Sequence, residues 1–200
     1  MANYLKFIGI AQEFMLFISI LILCLFPGVI LFFPEIMTGE LISKVYNLSL
    51  MSVFFVMAIR PLADLLPTVK WVRPLVILRK GFGVFSASII VSFMIAKFIE
   101  IGFPDYILQY LDSSYWTISD LKLFAHLGDV TAVLLLITSN NFSKELLGKN
   151  WKRLQQLAYV YFYSGAIYEA FVFGSKSALF ALITVFILVS SSFLYKNYKK

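Results

Sequence analysis

Apolar residues in this chain come in long runs separated by short polar stretches, not at the amphipathic spacing of a soluble helical domain. The first run extends from about Phe7 to Phe33 and is interrupted only by Glu13 and by Pro27-Gly28, where a kink is expected. Five more cover about Leu41 to Ile59, Gly81 to Ile99, Leu121 to Thr138, Leu154 to Phe173 and Ala178 to Tyr195. Each approaches the ~20 apolar residues that a helix needs to cross a bilayer. The pattern predicts an all-α polytopic membrane protein, a six-transmembrane-helix bundle in which residues 1–200 form a single integral membrane domain. The first run is too long for a signal peptide and lacks a small-residue cleavage site, so it reads as a retained helix.

The intervening stretches differ from one another. Arg60 to Lys80 holds three prolines and five Lys/Arg and reads as an interfacial loop anchored by Trp71. Glu100 to Asp120 holds Glu100, Asp105, Asp112 and Asp120 but no Lys or Arg, together with the interfacial aromatics Tyr106, Tyr110, Tyr115 and Trp116. Composition agrees with the runs: 60% of residues are hydrophobic and 14% charged, against ~45–50% and ~25% in soluble domains. A soluble enzyme carrying a separate anchor is excluded. The one cysteine, Cys24, has no partner in the chain, which rules out an intramolecular disulfide.

The net charge of +6 matters through its placement. Alternate threading puts Lys6, the five cations of the 60–80 loop, Lys144, Lys149, Lys152, Arg153, Lys196, Lys199 and Lys200 on one face, leaving Lys44, Lys97, Lys122 and Lys176 on the other. The positive-inside rule then places both termini in the cytoplasm; the expected membrane is of the bacterial inner (cytoplasmic) type. Anionic lipid is the default partner of these basic loops, at ~1 kcal/mol per Lys or Arg; a soluble redox or accessory subunit is an alternative, and nucleic acid is not expected.

Charged groups near a bilayer centre cost ~2.5–3.5 kcal/mol on insertion scales and must be paired, interfacial or functional. Counting at ~1.5 Å per residue, Lys97 lies roughly 5 Å, Glu169 roughly 7 Å, His126 roughly 9 Å and Asp129 roughly 13 Å inside the outer boundary. These four residues, with Tyr168 nearby, are the candidate outer polar pocket; His126 and Asp129, three apart, share a helical face. The simpler alternative is that Lys97 and Glu169 snorkel outward while His126 and Asp129 form a satisfied pair. Walker, Rossmann, HExxH and G-x-S-x-G motifs are absent, and one His with one Cys offers no zinc site. Gly81-Phe82-Gly83 reads as a close-packing point rather than a phosphate loop.

The run ITSNNFSKELLGKNWKRLQQLAY (Ile137 to Tyr159) resembles the L-T-S-x…L-G-x-x-W-x-x-L-H-x-x-x-Y segment of the ferric reductase-like transmembrane domain family. Its nearest branch is the haem-binding membrane subunit of periplasmic methionine sulfoxide reductase systems (MsrQ-like). Ile59 to Ala63 resembles the end of that family's second span and Arg79 to Val84 the start of its third, so the similarity covers about residues 40 to 175. The matching scaffold positions are Arg60, Arg79, Gly83, Gly148, Trp151, Arg153 and Tyr159. The resemblance implies transmembrane electron transfer on b-type haem held by histidines of the third and fifth spans. Carried over by position, those ligands fall on Phe93, Gln155 and Tyr168, none of which is histidine. Phe cannot ligate iron, Gln is a weak oxygen donor, and Tyr is an uncommon ligand.

The expectation is therefore a haem-free member of the family with no cofactor, acting as a scaffold or accessory subunit or binding another small molecule. Phe93, Tyr161, Phe162, Tyr163, Tyr168 and Phe171 would fill the space of the porphyrin. Two alternatives stand beside it: an electron-transfer subunit using haem b through His126, or quinone or flavin, and a small transporter whose substrate meets the outer polar pocket.

Overall fold

A computed structural model describes residues 2–118 and 121–198; Asp120, Lys199 and Lys200, named above, lie outside the described residues, as does the side chain of Tyr115. The described chain is helical throughout. The helices are α1 (Ala2–Phe32), α2 (Gly39–Leu65), α3 (Arg79–Ile101), α4 (Phe103–Leu111), α5 (Lys122–Ile137), α6 (Asn141–Leu147), α7 (Lys149–Leu154), α8 (Leu157–Val172) and α9 (Lys176–Tyr198). Short 3-10 helices at Arg73–Leu78 and Ser113–Trp116 complete it.

The apolar runs become helices because, away from water, only intrahelical bonds satisfy the backbone. The same constraint carries α1 through Pro27 and α2 through Pro61, which is buried. The expectation that residue 60 opens a loop is thereby corrected: α2 continues to Leu65, where the Leu66 N–H bonds the Leu62 carbonyl. Thr38 caps α2 by accepting from the Leu41 N–H at 3.3 Å. Gly102, at φ +93°, ends α3 and turns directly into α4, and Gly148, at φ +50°, separates α6 from α7. The Asn140 side chain caps α6 by accepting from the Ser143 N–H, and α6 leaves α5 at 95°.

Side-chain contacts fix the directions of the long helices. Ser49 of α2 meets Ser86 of α3 at 2.9 Å, while Arg79 Nε donates to the Val56 carbonyl at 3.0 Å, so α2 and α3 are antiparallel. Ser92 bonds the Ile22 carbonyl, and a methyl group on Gly81 would come within 3.1 Å of Met15 Cβ, so α1 runs parallel to α3. Gly81 is thus a close-packing point. Lys196 pairs with Asp64 at 2.6 Å and Ser177 donates to Asn47 at 3.3 Å, making α9 parallel to α2. Gly128 of α5 faces Ser164 of α8 as Thr138 faces Gln155, another antiparallel pair. α1, α2 and α3 thus alternate in direction, α9 runs with α2, and α5 and α8 oppose each other.

The core is built on small residues: Ala87, Ala132, Ala166, Ala178 and Ala181 are buried to 2% exposure or less around Phe162 and Val185. Small side chains let helices approach closely, which is how packing holds helices together in lipid. Phe14, Phe17, Phe180, Phe186 and Phe193, by contrast, stand exposed on α1 and α9. Among the described residues, four helical stretches are long and apolar enough to cross a membrane, Asn3–Phe32, Gly39–Leu65, Arg73–Ile101 and Lys176–Tyr198, and a fifth arises if α5 and α6 count as one bent span. The chain is an all-helical protein with the helices of an integral membrane protein. α8, with 16 residues, measures roughly 24 Å.

Candidate functional site

The outer polar residues are organised by α4, which the sequence leaves as an unstructured interfacial segment. Pro104 at its start and Gly102 before it fold the helix back over the ends of α3 and α5. Tyr106 and Tyr110, one turn apart, lie hydroxyl to hydroxyl at 3.3 Å, and the Tyr110 hydroxyl donates to Asp129 Oδ2 at 3.1 Å. The following 3-10 helix brings Trp116 in, its Nε1–H donating to the Tyr110 carbonyl at 2.8 Å. Asp112 caps this turn by accepting from both Ser114 N–H and Ser114 Oγ, which holds its carboxyl below the usual range. Burial, reinforced for Tyr110 by the charge of Asp129, pushes both α4 phenols above the usual tyrosine range.

His126 and Asp129 share the α5 face that meets this cap. The His126 ring lies 5.0 Å from Tyr110 and 5.6 Å from Trp116. The Lys97 charge acts on both His126 and Asp129, but Lys97 itself is exposed and makes no ion pair among the described residues. Glu169 is buried at 7% exposure on α8, where its backbone carbonyl accepts from Phe173 and Ser175. The outer cluster is thus an Asp129 carboxylate held by a phenol and a His126 ring against two aromatic rings, with Lys97 at its edge. It sets one carboxylate and one imidazole among aromatic rings. The Tyr110 contact was the missed element. Tyr106 and Tyr110 at i, i+4 are its only sequence signal.

The positions carried over from the resemblance fall in different surroundings. Phe93 stacks on Tyr46 with centroids 4.8 Å apart and planes 12° apart, and meets Phe26 edge-on at 5.4 Å. Tyr168 sits edge-on to Phe173 at 5.8 Å. Gln155 caps α7 and places its amide 3.5 Å from Thr138 Oγ1. This donor set does not fit bis-histidine haem: a phenyl ring, a carboxamide and a phenol stand where three imidazoles are required. Of the residues expected to fill porphyrin space, Phe162 and Tyr161 are buried, but Phe171 is 68% exposed on the outside of α8 and fills no cavity. Its neighbours Val172 and Phe173 are exposed as well, since α8 ends there away from the core, which explains the correction. Among the described residues, no three His, Cys, Asp or Glu side chains converge as metal ligands would.

Between the two ends, the Tyr161 hydroxyl bridges Ser86 at 2.8 Å and Ser49 at 3.3 Å, a closed polar knot joining α2, α3 and α8. At the basic end Trp151 Nε1–H donates to the Thr138 carbonyl at 2.9 Å, which ties α7 to the end of α5, and Lys144 Nζ lies 5.7 Å from the Trp151 ring centroid. Gly83 faces Val56; Arg60, Arg153 and Tyr159 are exposed. Trp71, also exposed, accepts a bond from the Tyr4 hydroxyl on its carbonyl at 2.9 Å. No family model, curated protein or solved structure matches this chain.

Proposed function

We propose that this is a six-span protein of the bacterial inner membrane with a ferric reductase-like scaffold and no haem, serving as an accessory subunit or as the binder of another small molecule. The family reading rests on the motif residues between Ile137 and Tyr159. Support for six spans comes from the six apolar runs of the sequence and from the opposed directions of α1, α2 and α3 and of α5 and α8. Support for cytoplasmic termini is the crowding of Lys and Arg at one end of the bundle.

The observation that carries the haem-free reading is the Tyr46–Phe93 stack. Two stacked aromatic rings occupy the third-span position where an iron ligand would stand, and neither carries the imidazole that the family's ligation needs. The test is an oxidised-minus-reduced visible spectrum with pyridine haemochrome quantification on detergent-purified protein expressed with haem supply. Folded, monodisperse protein with no haem is the expected result. A stoichiometric b-type signal that disappears in His126→Ala would overturn it in favour of an electron carrier with rewired ligation. Orientation is read separately in a Cys24→Ser background. An impermeant maleimide added to intact spheroplasts should label Ser114→Cys but not Asn150→Cys, and the reverse result would invert the topology.

A further inference from the structure

At the basic end, the mouths of α2, α3, α5 and α8 leave a cavity of about 720 Å³, in the size range of small-molecule sites. Its wall carries Arg60, Arg79, Lys80, Lys144 and Lys152 and no carboxylate. Positive residues on this face follow from topology alone. A concave wall of five cations without one acid does not, because like charges drawn together repel unless an anion sits among them.

Two further observations point the same way. Arg79 is half-buried and spends only its Nε on the protein, donating to the Val56 carbonyl at 3.0 Å; its terminal guanidinium nitrogens have no protein acceptor among the described residues. A guanidinium fork held by one nitrogen and open at the other two suits bidentate contact with phosphate oxygens. Arg60 lines the same wall as Arg79. Asp64, the acidic group beside the neighbouring groove, is already engaged by Lys196 at 2.6 Å. Trp151, seated on the Thr138 carbonyl, and the Asn140, Asn141 and Gln155 side chains add polar groups and a flat ring to the wall.

We infer that this cavity binds a phosphate-bearing anion, with Arg79 and Arg60 at its inner wall and Lys144 and Lys152 closing the outer side. The volume exceeds that of a lone phosphate, so the ligand carries an organic portion: either the headgroup of an anionic phospholipid or a soluble phosphorylated compound. The inference goes beyond the haem-free reading and fails separately from it, since a haem spectrum and an anion titration report on different groups.

Two arms separate the sources. In a nonionic detergent, inorganic pyrophosphate is titrated calorimetrically into the full chain. In phosphatidylcholine nanodiscs doped with phosphatidylglycerol, retention of phosphatidylglycerol is read by native mass spectrometry. Each arm is repeated with Lys144→Gln/Lys152→Gln and with Lys70→Gln/Lys149→Gln, which removes the same charge from the same face outside the cavity wall. Binding in at least one arm is expected to weaken roughly 10- to 30-fold in the first variant, from ~1 kcal/mol per cation, and less than about twofold in the second. Lys80→Gln, also on the wall, should show a smaller loss in the same arm. Pyrophosphate binding without phosphatidylglycerol retention identifies a soluble phosphate compound, and phosphatidylglycerol retention, with or without pyrophosphate binding, identifies a lipid. Absence of binding in both arms, or equal losses in the two double variants, overturns the inference.

Discussion

The two ends of the bundle are held by different physics. At the outer end a short helix folds back and satisfies a half-buried carboxylate: Tyr110 reaches Asp129, Trp116 holds the Tyr110 backbone, and His126 packs between them. At the basic end the helices splay around a cationic cavity, and the cross-links are single contacts at the rim: Lys196 to Asp64, Tyr4 to Trp71, Trp151 to Thr138. One end is closed by directed bonds among aromatic residues, the other kept open by like charge. Closed ends carry stability, and open ends are where a partner or ligand can be admitted.

Substitutions should expose this contrast. The largest effect is expected where helices touch without a polar contact, at Gly81, whose added side chain meets Met15 Cβ at 3.1 Å and the Gln12 carbonyl at 3.5 Å. Gly81→Leu should wedge α1 from α3 and cost about 1–3 kcal/mol of stability, read by denaturant titration in detergent; an unchanged midpoint would show that α1 docks loosely. Tyr110→Phe leaves Asp129 without its donor and should cost about 1–2 kcal/mol, read the same way. A cost at or below that of Lys196→Gln would remove the distinction between the two ends.

Alkali should act on the outer end next. Tyr106 and Tyr110 hold their protons more tightly folded than unfolded, so their contribution is complete below the ordinary phenol range near pH 10 and is lost as pH rises toward their folded values. Ultraviolet titration should show them protonated after exposed tyrosines have ionised, and the alkaline loss of stability should be shallower in Tyr110→Phe. A single transition at the ordinary pH for all tyrosines would mean that α4 is not docked. The smallest effect belongs to Lys196→Gln, since its carboxylate partner is an exposed ion pair: under about 1 kcal/mol, and less in high salt. A loss of 2 kcal/mol or more would mean that the rim of the basic end is as firmly built as the aromatic one.

The long helices were legible because apolar run length reports directly on a helix in lipid. Residues 121–138 become α5 at Lys122–Ile137, and 178–195 lies inside α9 at Lys176–Tyr198. Prolines misled at residue 60, since the rule that proline ends a helix assumes water ready to solvate the freed carbonyl, and Pro61 is buried. His126 and Asp129 were legible as one helical face, but their partners were not, and among the described residues no contact joins Glu169 to them. Whether Asp129 meets Lys97 or Tyr110 depends on where α4 folds back, which is decided by Gly102 at φ +93° and Pro104 rather than by any periodicity. Likewise, threading the apolar runs predicts thirteen cations on one face but not that five would line one cavity. Concavity is a property of helix ends in three dimensions.

α1 stands apart from the rest. Only 11% of its apolar window is buried against the protein, against 50% for α2, and its principal neighbour, α3, comes some fifty residues later in the chain. A helix with so little protein around it presents most of its circumference to lipid, and its apolar faces suit that solvent. Its docking is concentrated on one line, at Gly81 and Ser92. The attachment of α1 therefore runs chiefly through one neighbour, α3, so a single interface decides whether it stays with the bundle.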